Sequence, residues 1–377
     1  MQNLYLKRGA EKGFKEAIQI SKQFSDSLKC LRFENATVLP YHDDNQCLGG
    51  VLDCEGSFVG ISSLYENRKV GPYAYNPDSV DIVSGTIIYI GMLLDVYGHA
   101  ITDNLKKLWF LNTPEGEALI DAGAQLAYIA NWRNIPPQYI TRIFELAGIN
   151  INDCFHIKKI TKFDVVYIPE NAFYHRQDGI KVYHPLMCDI YNRIKKNIHL
   201  RMPIAEKLYF TRRRLTQTWA RDNGEKDLEK AFRNEGYQIV SPENLTFDEQ
   251  VSALMQCTHF AATEGSISHN AIWCQPNTEV IILRKANVVN TWQLAINEMA
   301  KIKPIYIDAH NSVKANLQFP MVGPFFMCIT PELERYLGHR VFHLPLALRP
   351  SWWKYLCRDK YWYKRTKHIL QRLKLIH

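Results

Sequence analysis

The sequence lacks the features of a membrane-spanning, secreted or zinc-stabilised protein. Among its 377 residues no apolar run is long enough to cross a bilayer, and the longest, residues 87–94, has the length of a strand. The first eight residues lack the apolar core of a signal peptide. Its nine cysteines are scattered and include no Cys-x-x-Cys pair. We therefore expect a soluble protein of the reducing cytoplasm, with its cysteines as small buried side chains.

An excess of charge of either sign is also missing from most of the chain. The formal net charge is +8, but residues 335–377 hold eleven Lys or Arg against one acid, Asp359, which makes +10. The remaining residues hold 35 basic and 37 acidic side chains. A near-neutral body argues against a basic groove for DNA or RNA, so we expect no nucleic-acid partner.

The basic C-terminus alternates cations with aromatic residues, as in Trp352-Trp353-Lys354-Tyr355 and in residues 361–365. Trp and Tyr favour membrane interfaces, and Lys and Arg favour anionic headgroups. The pattern predicts helices that bind an anionic membrane surface, which would make the protein peripheral on the inner face of the cell membrane. A C-terminal helix packed on the body with a basic outer face is the alternative, and the two are compatible. RNA binding by the same aromatics is a weaker alternative.

Residues 236–283 alternate short apolar runs with amphipathic runs of helix length, in the order strand, helix, strand, glycine turn, helix, strand. This alternation predicts a parallel sheet with crossover helices and an α/β fold. The turn Glu264-Gly265-Ser266 follows a strand and opens a helix. Ligands of open α/β sheets bind at this end of the strands, and a helix N-terminus offers N–H groups to an anion. The alternative is a glycine that only makes a tight turn.

An arginine cluster, Arg212-Arg213-Arg214, directly follows another short strand at residues 207–210. Guanidinium groups match phosphate oxygens bidentately, so a cluster just past the carboxyl end of a strand suits a diphosphate. A solvated charge run on a loop is the alternative.

In the first half of the chain, a buried strand at residues 85–94 precedes a predicted helix over residues 100–112. His99 and Asp103 stand four residues apart at the start of this helix, and therefore on one face of it. Either side chain is a candidate for accepting a proton from a substrate hydroxyl. The alternative is structural, with Asp103 favouring the helix dipole and His99 capping the helix.

Four segments together resemble glycosyltransferase family 61, which includes bacterial capsule and lipopolysaccharide enzymes. The resemblance covers residues 97–283 and is best in the second half. Each segment is a weak signal alone, but the four occur in the family's order at compatible spacing: Gly98-His99-Ala-Ile-Thr-Asp103; Thr211-Arg212 followed by Arg221-Asp-Asn223-Gly-Glu225; Gly236-Tyr237 followed by Pro242-Glu243 and Glu249-Gln250; and Gly265-Ser266-Ile-Ser-His269-Asn270 followed by Pro276-Asn-Thr278-Glu-Val280-Ile281. Three positions depart from the family pattern: Ala100 replaces an aromatic residue, Glu264 replaces a His, and Gly224 is additional.

The resemblance implies an α/β enzyme of the GT-B type, with two Rossmann-like domains facing a cleft. Residues 1–200 would form the acceptor domain and residues 201–330 the sugar-nucleotide domain. Residues 331–377 would form basic, aromatic C-terminal helices that could pack back on the acceptor domain and the membrane surface. The implied reaction is inverting transfer of a hexosyl, pentosyl or N-acetylhexosaminyl group in capsule, O-antigen or lipopolysaccharide biosynthesis. The partners would be a nucleotide sugar, with a UDP-sugar favoured, and a glycan or lipid-linked glycan acceptor. A homo-oligomer is compatible with the sequence.

With this reaction in view, seven residues are candidates for the donor site: Arg212 and, second, Arg221 for the diphosphate, the amides of Gly265 and Ser266 for the same phosphates, His269 and Asn270 for phosphate, ribose or sugar, and Glu264 for ribose or sugar hydroxyls. For the catalytic base we prefer Asp103, with His99 as its rival. The acidic pair Asp43-Asp44 and Asp222 do not form an Asp-x-Asp element, so we expect chemistry without a metal and no cofactor. Two alternatives stay open, a retaining sugar-nucleotide transferase and a non-catalytic scaffold that binds nucleotide or glycan at a membrane surface.

Overall fold

The computed structural model describes residues 3–20, 22–24, 26–43, 47–64, 71–175, 181–199, 205–215, 222–313 and 323–357. Arg221, one of the candidate diphosphate ligands, and residues 358–377 of the basic C-terminus lie outside these ranges. The described residues form an α/β fold with one parallel and one mixed sheet of six strands each, together with two small sheets.

The strands are β1 (Asn3–Tyr5), β2 (Lys22–Gln23), β3 (Cys30–Asp43), β4 (Cys47–Leu52), β5 (Asp81–Leu93), β6 (Gln125–Ala130), β7 (Phe155–His156), β8 (Thr161–Pro169), β9 (Phe173–His175), β10 (Lys181–Tyr183), β11 (Lys207–Phe210), β12 (Asp222–Asn223), β13 (Gln238–Val240), β14 (His259–Thr263), β15 (Glu279–Arg284), β16 (Lys303–Asp308) and β17 (Phe325–Phe326). The α-helices are α1 (Ala10–Ile20), α2 (Tyr97–Ala100), α3 (Pro114–Asp121), α4 (Gln138–Leu146), α5 (Leu186–Lys196), α6 (Glu225–Asn234), α7 (Phe247–Gln256), α8 (Thr291–Ala300), α9 (Pro331–Leu337) and α10 (Pro350–Cys357). Short 3₁₀ helices span Gly60–Ser62, Pro77–Ser79, Asp103–Leu105, Leu108–Asn112, Ile151–Asp153, Pro242–Asn244, Ser268–Trp273 and Leu346–Leu348.

The chain divides into two compact units. Unit 1 contains the described residues of Met1–Glu16, Arg201–Asn290 and Lys301–His377, and unit 2 those of Ala17–Leu200 and Thr291–Ala300. The chain passes from unit 2 to unit 1 near residue 200, and the assignment of an acceptor and a sugar-nucleotide domain stays a prediction. The expected ranges differ at the N-terminus, because β1 pairs in parallel with β16 of unit 1, about 300 positions along the chain. Such a pairing between distant segments leaves no local signal in the sequence.

Unit 1 is built on a parallel sheet with the strand order β1-β16-β15-β14-β11-β13. The predicted parallel sheet is therefore confirmed. The chain passes from β11 outward to β13 and then returns to the other side of β11 to form β14. The carboxyl ends of β11 and β14 are thus a topological switch point, the place where doubly wound sheets bind their ligands.

Sequence signals explain the helices and strands of unit 1. Residues 280–283 of β15 are consecutive apolar side chains and are all fully buried, as expected for a strand covered on both faces. Helix α7 begins with a capping box in which Thr246 and Glu249 satisfy each other's backbone amides. Helix α6 begins at Gly224, whose φ is +87° and where a Cβ would lie 2.1 Å from the carbonyl oxygen of Met327. Only glycine fits there, which accounts for the extra glycine between Asn223 and Glu225.

Unit 2 contains a sheet of order β4-β3-β8-β5-β6-β7. Strands β5 to β8 pair in parallel, whereas β3 pairs antiparallel with both β4 and β8. The resemblance implied a Rossmann-like first half, and the sheet found there is mixed rather than purely parallel. Its core is a continuous apolar cluster that includes Val38, Tyr89, Ile129 and Val166, each fully buried.

The helix predicted over residues 100–112 is interrupted. After the single turn of α2, Thr102 adopts a non-helical backbone with φ −128° and ψ −83°, and two 3₁₀ helices follow. Residues 100–110 are all buried, including Lys106 and Lys107. A straight surface helix buries only one face. Here every side chain is buried, and the two lysine ammonium groups donate to the carbonyls of Leu64 and Pro169 inside the unit. The segment therefore folds as short turns that are enclosed on all sides.

The described part of the C-terminus packs on unit 1. Helix α9 contributes Leu333 to the core cluster around β16, and α10 contributes Tyr355 to a cluster with Phe326 and Cys328. Among the helices of the described residues, none is both long enough and apolar enough to cross a membrane.

Candidate functional site

The topological switch point of unit 1 brings two of the predicted donor-site residues together. Arg212 follows β11 and Gly265 follows β14, and the two strands are paired in register. A methyl group placed on the Cα of Gly265 would lie 3.8 Å from Nη1 of Arg212 and 3.6 Å from Nζ of Lys285, the residue that follows β15. Because both distances start at one point, the two nitrogens lie within 7.4 Å of each other. Two cations therefore border the Gly265 turn.

The backbone of Arg212 is held by a buried carboxylate. Glu225, in the first turn of α6, accepts hydrogen bonds from the Arg212 amide at 3.2 and 3.3 Å and from the Tyr209 hydroxyl at 3.1 Å. The neighbouring Arg213 is committed elsewhere, since its Nε donates to Glu229 at 2.9 Å. Within the predicted arginine cluster, Arg212 thus lies at the switch point and Arg213 forms an ion pair with Glu229 of α6. Arg214 is exposed.

The Gly265 turn is closed by its own side-chain hydrogen bonds. Gly265 has φ +124°, a conformation that favours glycine. Its amide donates to Oγ of Ser268 at 3.1 Å, and the Ser268 hydroxyl donates back to the Gly265 carbonyl at 2.9 Å. The Gly265 amide, expected to bind phosphate, therefore already has a partner in this structure, and Ser266 beside it is half-buried. The side chains of Arg212 and Lys285, rather than the Gly265 amide, are therefore the candidate ligands for an anion at this turn.

His269 and Asn270 lie in the 3₁₀ helix after this turn and are nearly fully buried, with 7% and 1% exposure. Nε2 of His269 is 3.3 Å from the Asn290 side-chain amide nitrogen, and the Asn270 side-chain amide donates to the Ile267 carbonyl at 3.1 Å. Both side chains make contacts within unit 1 that support the turn.

In unit 2, His99 and Asp103 form a hydrogen-bonded pair. Nδ1 of His99 lies 2.7 Å from Oδ2 of Asp103, and the Thr102 hydroxyl lies 3.1 Å from the same oxygen. The two residues meet as the four-residue spacing predicted, although the helix is interrupted between them. The Asp103 side chain is only 2% exposed, whereas that of His99 is 24% exposed. Of the two candidate bases, His99 is the one that a substrate can approach.

The middle of the chain matches a known protein family. Residues 97–281 fit the family model described as Glycosyltransferase 61. This match assigns the chain to glycosyltransferase family 61. The protein is therefore a glycosyltransferase, and its family implies a nucleotide-sugar donor and a glycan acceptor. No curated protein matches the chain.

The matched range of this family 61 glycosyltransferase includes His99, Asp103, Arg212 and Gly265, but it ends before Lys285. The residues predicted from sequence do not include Lys285. It stands two residues after the predicted strand that ends at Leu283, as Arg212 stands two residues after the strand at residues 207–210. Its side chain is 4% exposed, its ammonium group lies 5.1 Å from the centre of the Phe325 ring, and its carbonyl accepts from the Ser312 hydroxyl at 2.7 Å.

Within the described ranges, no three His, Cys, Asp or Glu side chains are grouped so that they could hold a metal ion.

The residue before Lys285 takes part in a buried ion pair. Nη1 of Arg284 lies 2.7 Å from Oδ1 of Asp308. The other Asp308 oxygen, Oδ2, accepts a hydrogen bond from the backbone amide of Lys7 at 2.7 Å, so each oxygen of this carboxylate has a donor.

Glu264 of the glycosyltransferase is a fully buried carboxyl group at the same turn. Neither of its side-chain oxygens makes a hydrogen bond with the described residues. Burial raises its pKa from 4.5 to about 7, although Arg284, Lys285 and the nearby backbone amides of Asn290 and Lys285 favour the charged form. These amides lie close enough to act on the charge without reaching hydrogen-bond geometry. A sugar or ribose hydroxyl would reach this carboxyl only if neighbouring groups moved.

We expect Glu264→Gln to be more favourable for folding stability, relative to wild type, at pH 8 than at pH 5. The pKa of Glu264 is about 7 in the folded protein, against 4.5 for a fully solvated glutamate, so the unfolded chain loses this proton first as pH rises. Folding stability from this group therefore falls between about pH 4.5 and pH 7, by at most about 3 kcal/mol. Glutamine does not titrate and escapes this loss. Thermal unfolding at both pH values measures the effect. The melting temperature of the variant minus that of wild type should be about 3 °C or more higher at pH 8 than at pH 5.

The exposed Glu243→Gln of the same unit is the matched control, because an exposed carboxyl group has little to gain from neutralisation. Equal pH dependence of the melting temperature in wild type and Glu264→Gln would show that the Glu264 carboxyl is solvated in solution.

Proposed function

We propose that this glycosyltransferase transfers a sugar, with inversion and without a metal ion, from a nucleoside diphosphate sugar to a hydroxyl of a glycan or lipid-linked glycan. The acceptor we propose belongs to surface polysaccharide biosynthesis of the capsule, O-antigen or lipopolysaccharide type. The observation that carries the proposal is the pair of cations, Arg212 and Lys285, at the switch point of the parallel sheet. The aromatic and cationic C-terminus is in keeping with an acceptor at a membrane.

In this proposal the two cations of unit 1 stabilise the departing diphosphate. When the bond between the anomeric carbon and the phosphate oxygen breaks, its electron pair leaves on the diphosphate, which gains negative charge. The guanidinium group of Arg212 can pair with two phosphate oxygens, and the ammonium group of Lys285 supplies a second positive charge. Fixed cations at a site where charge develops lower the barrier, which is the role a divalent metal has in other transferases.

The His99–Asp103 pair of unit 2 supplies the base. Because a carboxylate can only accept a hydrogen bond, the neutral His99 tautomer that pairs with Asp103 carries its proton on Nδ1 and its lone pair on Nε2. We propose that Nε2 takes the proton of the acceptor hydroxyl while that oxygen forms the new bond to the anomeric carbon. Asp103 then stabilises the imidazolium and fixes the orientation of the ring. A single displacement of this kind inverts the anomeric configuration.

A panel of nucleotides tests the proposal. Melting temperatures are measured with UDP, GDP, CDP, dTDP and CMP, since only a bound ligand raises the melting temperature. We expect one of the diphosphates to do so, with UDP favoured, and CMP to have no effect. The corresponding sugar nucleotide is then used with a glycan acceptor, and the anomeric configuration of the product is read by NMR. Stabilisation by CMP alone, or a product with retained configuration, would contradict the proposal.

A further inference from the structure

The segment from the end of α9 to the middle of α10 exposes several large apolar side chains. Phe342, Leu344, Leu348 and Trp353 are 86%, 50%, 65% and 54% exposed, and we refer to these four residues as the C-terminal patch. All four belong to unit 1. Single exposed apolar residues are ordinary, but four within twelve positions of one segment make that segment a candidate interaction surface.

Polar contacts hold this segment in place and leave its apolar side chains outside. The Arg349 side chain is 6% exposed, and its Nη1 lies 2.7 Å from Oδ2 of Asp227 in α6. Its Nε donates to the Leu344 carbonyl at 2.5 Å, and the Trp353 indole donates to the Ala347 carbonyl at 2.8 Å. The buried Arg349 side chain thus links the backbone of this segment to α6. The patch is therefore part of the ordered fold of unit 1.

Helix α10 fixes one side of the patch. Tyr355 is fully buried and packs with Trp352 against Phe326 of β17, with ring centres 4.9 to 5.5 Å apart. Of the aromatic run at residues 352–355, Trp352 and Tyr355 thus belong to the core, and Trp353 faces outward. The packed side of this helix agrees with the alternative of a C-terminal helix packed on the body, and membrane binding by its exposed side stays a prediction.

We propose that the C-terminal patch inserts into the interface of an anionic lipid bilayer and holds the glycosyltransferase at a membrane surface. Arg340, His343 and Lys354 are exposed within the same segment. Residues 335–377 hold eleven Lys or Arg and one Asp, whereas the rest of the chain is near neutral. Apolar side chains beside clustered cations are the combination that anionic membranes bind, and each cation near the surface strengthens binding about fivefold.

The charge argues for lipid rather than for a protein partner. The centres of protein interfaces are depleted of lysine and other charged residues, whereas this surface is continuous with a strongly cationic sequence. Two copies that paired through this segment would bring the exposed Arg340 and Lys354 of each toward like charges of the other, which is unfavourable. The inference concerns where the enzyme works and does not depend on which residues carry out transfer.

Co-sedimentation of the full chain with lipid vesicles tests the inference. We expect the protein to bind vesicles of equal parts phosphatidylglycerol and phosphatidylcholine, to leave vesicles of phosphatidylcholine alone, and to dissociate as salt increases. The double variant Phe342→Ser with Leu348→Ser should weaken binding by more than about tenfold, because two side chains no longer insert. Both residues are exposed, so the variant should keep its melting temperature.

Ile135→Ser is the matched control, since Ile135 is 80% exposed but lies in unit 2, outside the segment. It should bind the vesicles as wild type does. Equal binding to charged and neutral vesicles, or unchanged binding by the double variant, would overturn the inference. A wild-type dimer that the double variant converts to a monomer, without vesicle binding in either, would assign the patch to a second copy and would also overturn it.

Discussion

Replacing His99 with Ala is expected to lower the turnover of the glycosyltransferase by about 10²- to 10⁴-fold while leaving nucleotide affinity unchanged. A positioned base contributes this much to proton transfer. His99 is the more accessible member of the pair, and its Nδ1 is 2.7 Å from Asp103, so loss of the ring removes the proton acceptor itself. The measurement is kcat with saturating donor and acceptor, together with the affinity for the nucleoside diphosphate by calorimetry.

Asp103→Asn is expected to reduce turnover as well, for a different reason. The asparagine amide cannot stabilise an imidazolium as a carboxylate does, and it can bind the ring in the wrong tautomer. Added imidazole separates the two roles. It should restore part of the turnover of His99→Ala, because it replaces the missing base, and none of the turnover of Asp103→Asn.

The exposed His42→Ala serves as the control for unit 2, and its turnover should equal that of wild type. Normal turnover in His99→Ala together with a large loss in Asp103→Asn would return the role of base to Asp103, the residue favoured from sequence. Normal turnover in both variants would remove the pair from the reaction.

The sheet of unit 1 could be predicted because its signals are local. Strands β11 and β14 are short apolar runs, and each is followed by a residue type that suits the carboxyl end of a parallel strand. The alternation of strands and helices places these ends at the same edge of the sheet, and the observed pairing of β11 with β14 brings Arg212 and Gly265 together. Lys285 obeys the same rule after β15 and could have been found in the same way.

Other features depend on contacts that the sequence does not show. Nothing in the order of residues indicates that the Gly265 amide donates its hydrogen bond to Ser268, or that the Glu264 carboxyl is fully buried. The helix predicted after β5 is interrupted because the whole segment is enclosed, and periodicity cannot report burial on every side. Likewise, β1 joins unit 1 only through pairing with a strand at the far end of the chain.

The Arg212→Ala and Lys285→Ala substitutions should each weaken binding of the nucleoside diphosphate by about 10- to 150-fold, and the affinity for the nucleoside alone should not change. Losing one charge-assisted hydrogen bond to a phosphate costs about 1.5–3 kcal/mol. Both nitrogens lie beside Gly265, 3.8 and 3.6 Å from the position that a methyl group on its Cα would take. Because they share one ligand, the double variant should depart from additivity. Calorimetry with the diphosphate and with its nucleoside measures both quantities.

Arg214→Ala is the matched control, because Arg214 is an exposed member of the same cluster and should have no effect. Arg212→Lys keeps the charge but loses the planar fork, so it should bind the diphosphate less tightly than wild type and more tightly than Arg212→Ala. If diphosphate and nucleoside affinities both stay unchanged in Arg212→Ala and Lys285→Ala, the cations do not hold the leaving group. If both affinities fall together, the cations act on the shape of the site rather than on the phosphates. Only a loss confined to the diphosphate supports stabilisation of the departing charge.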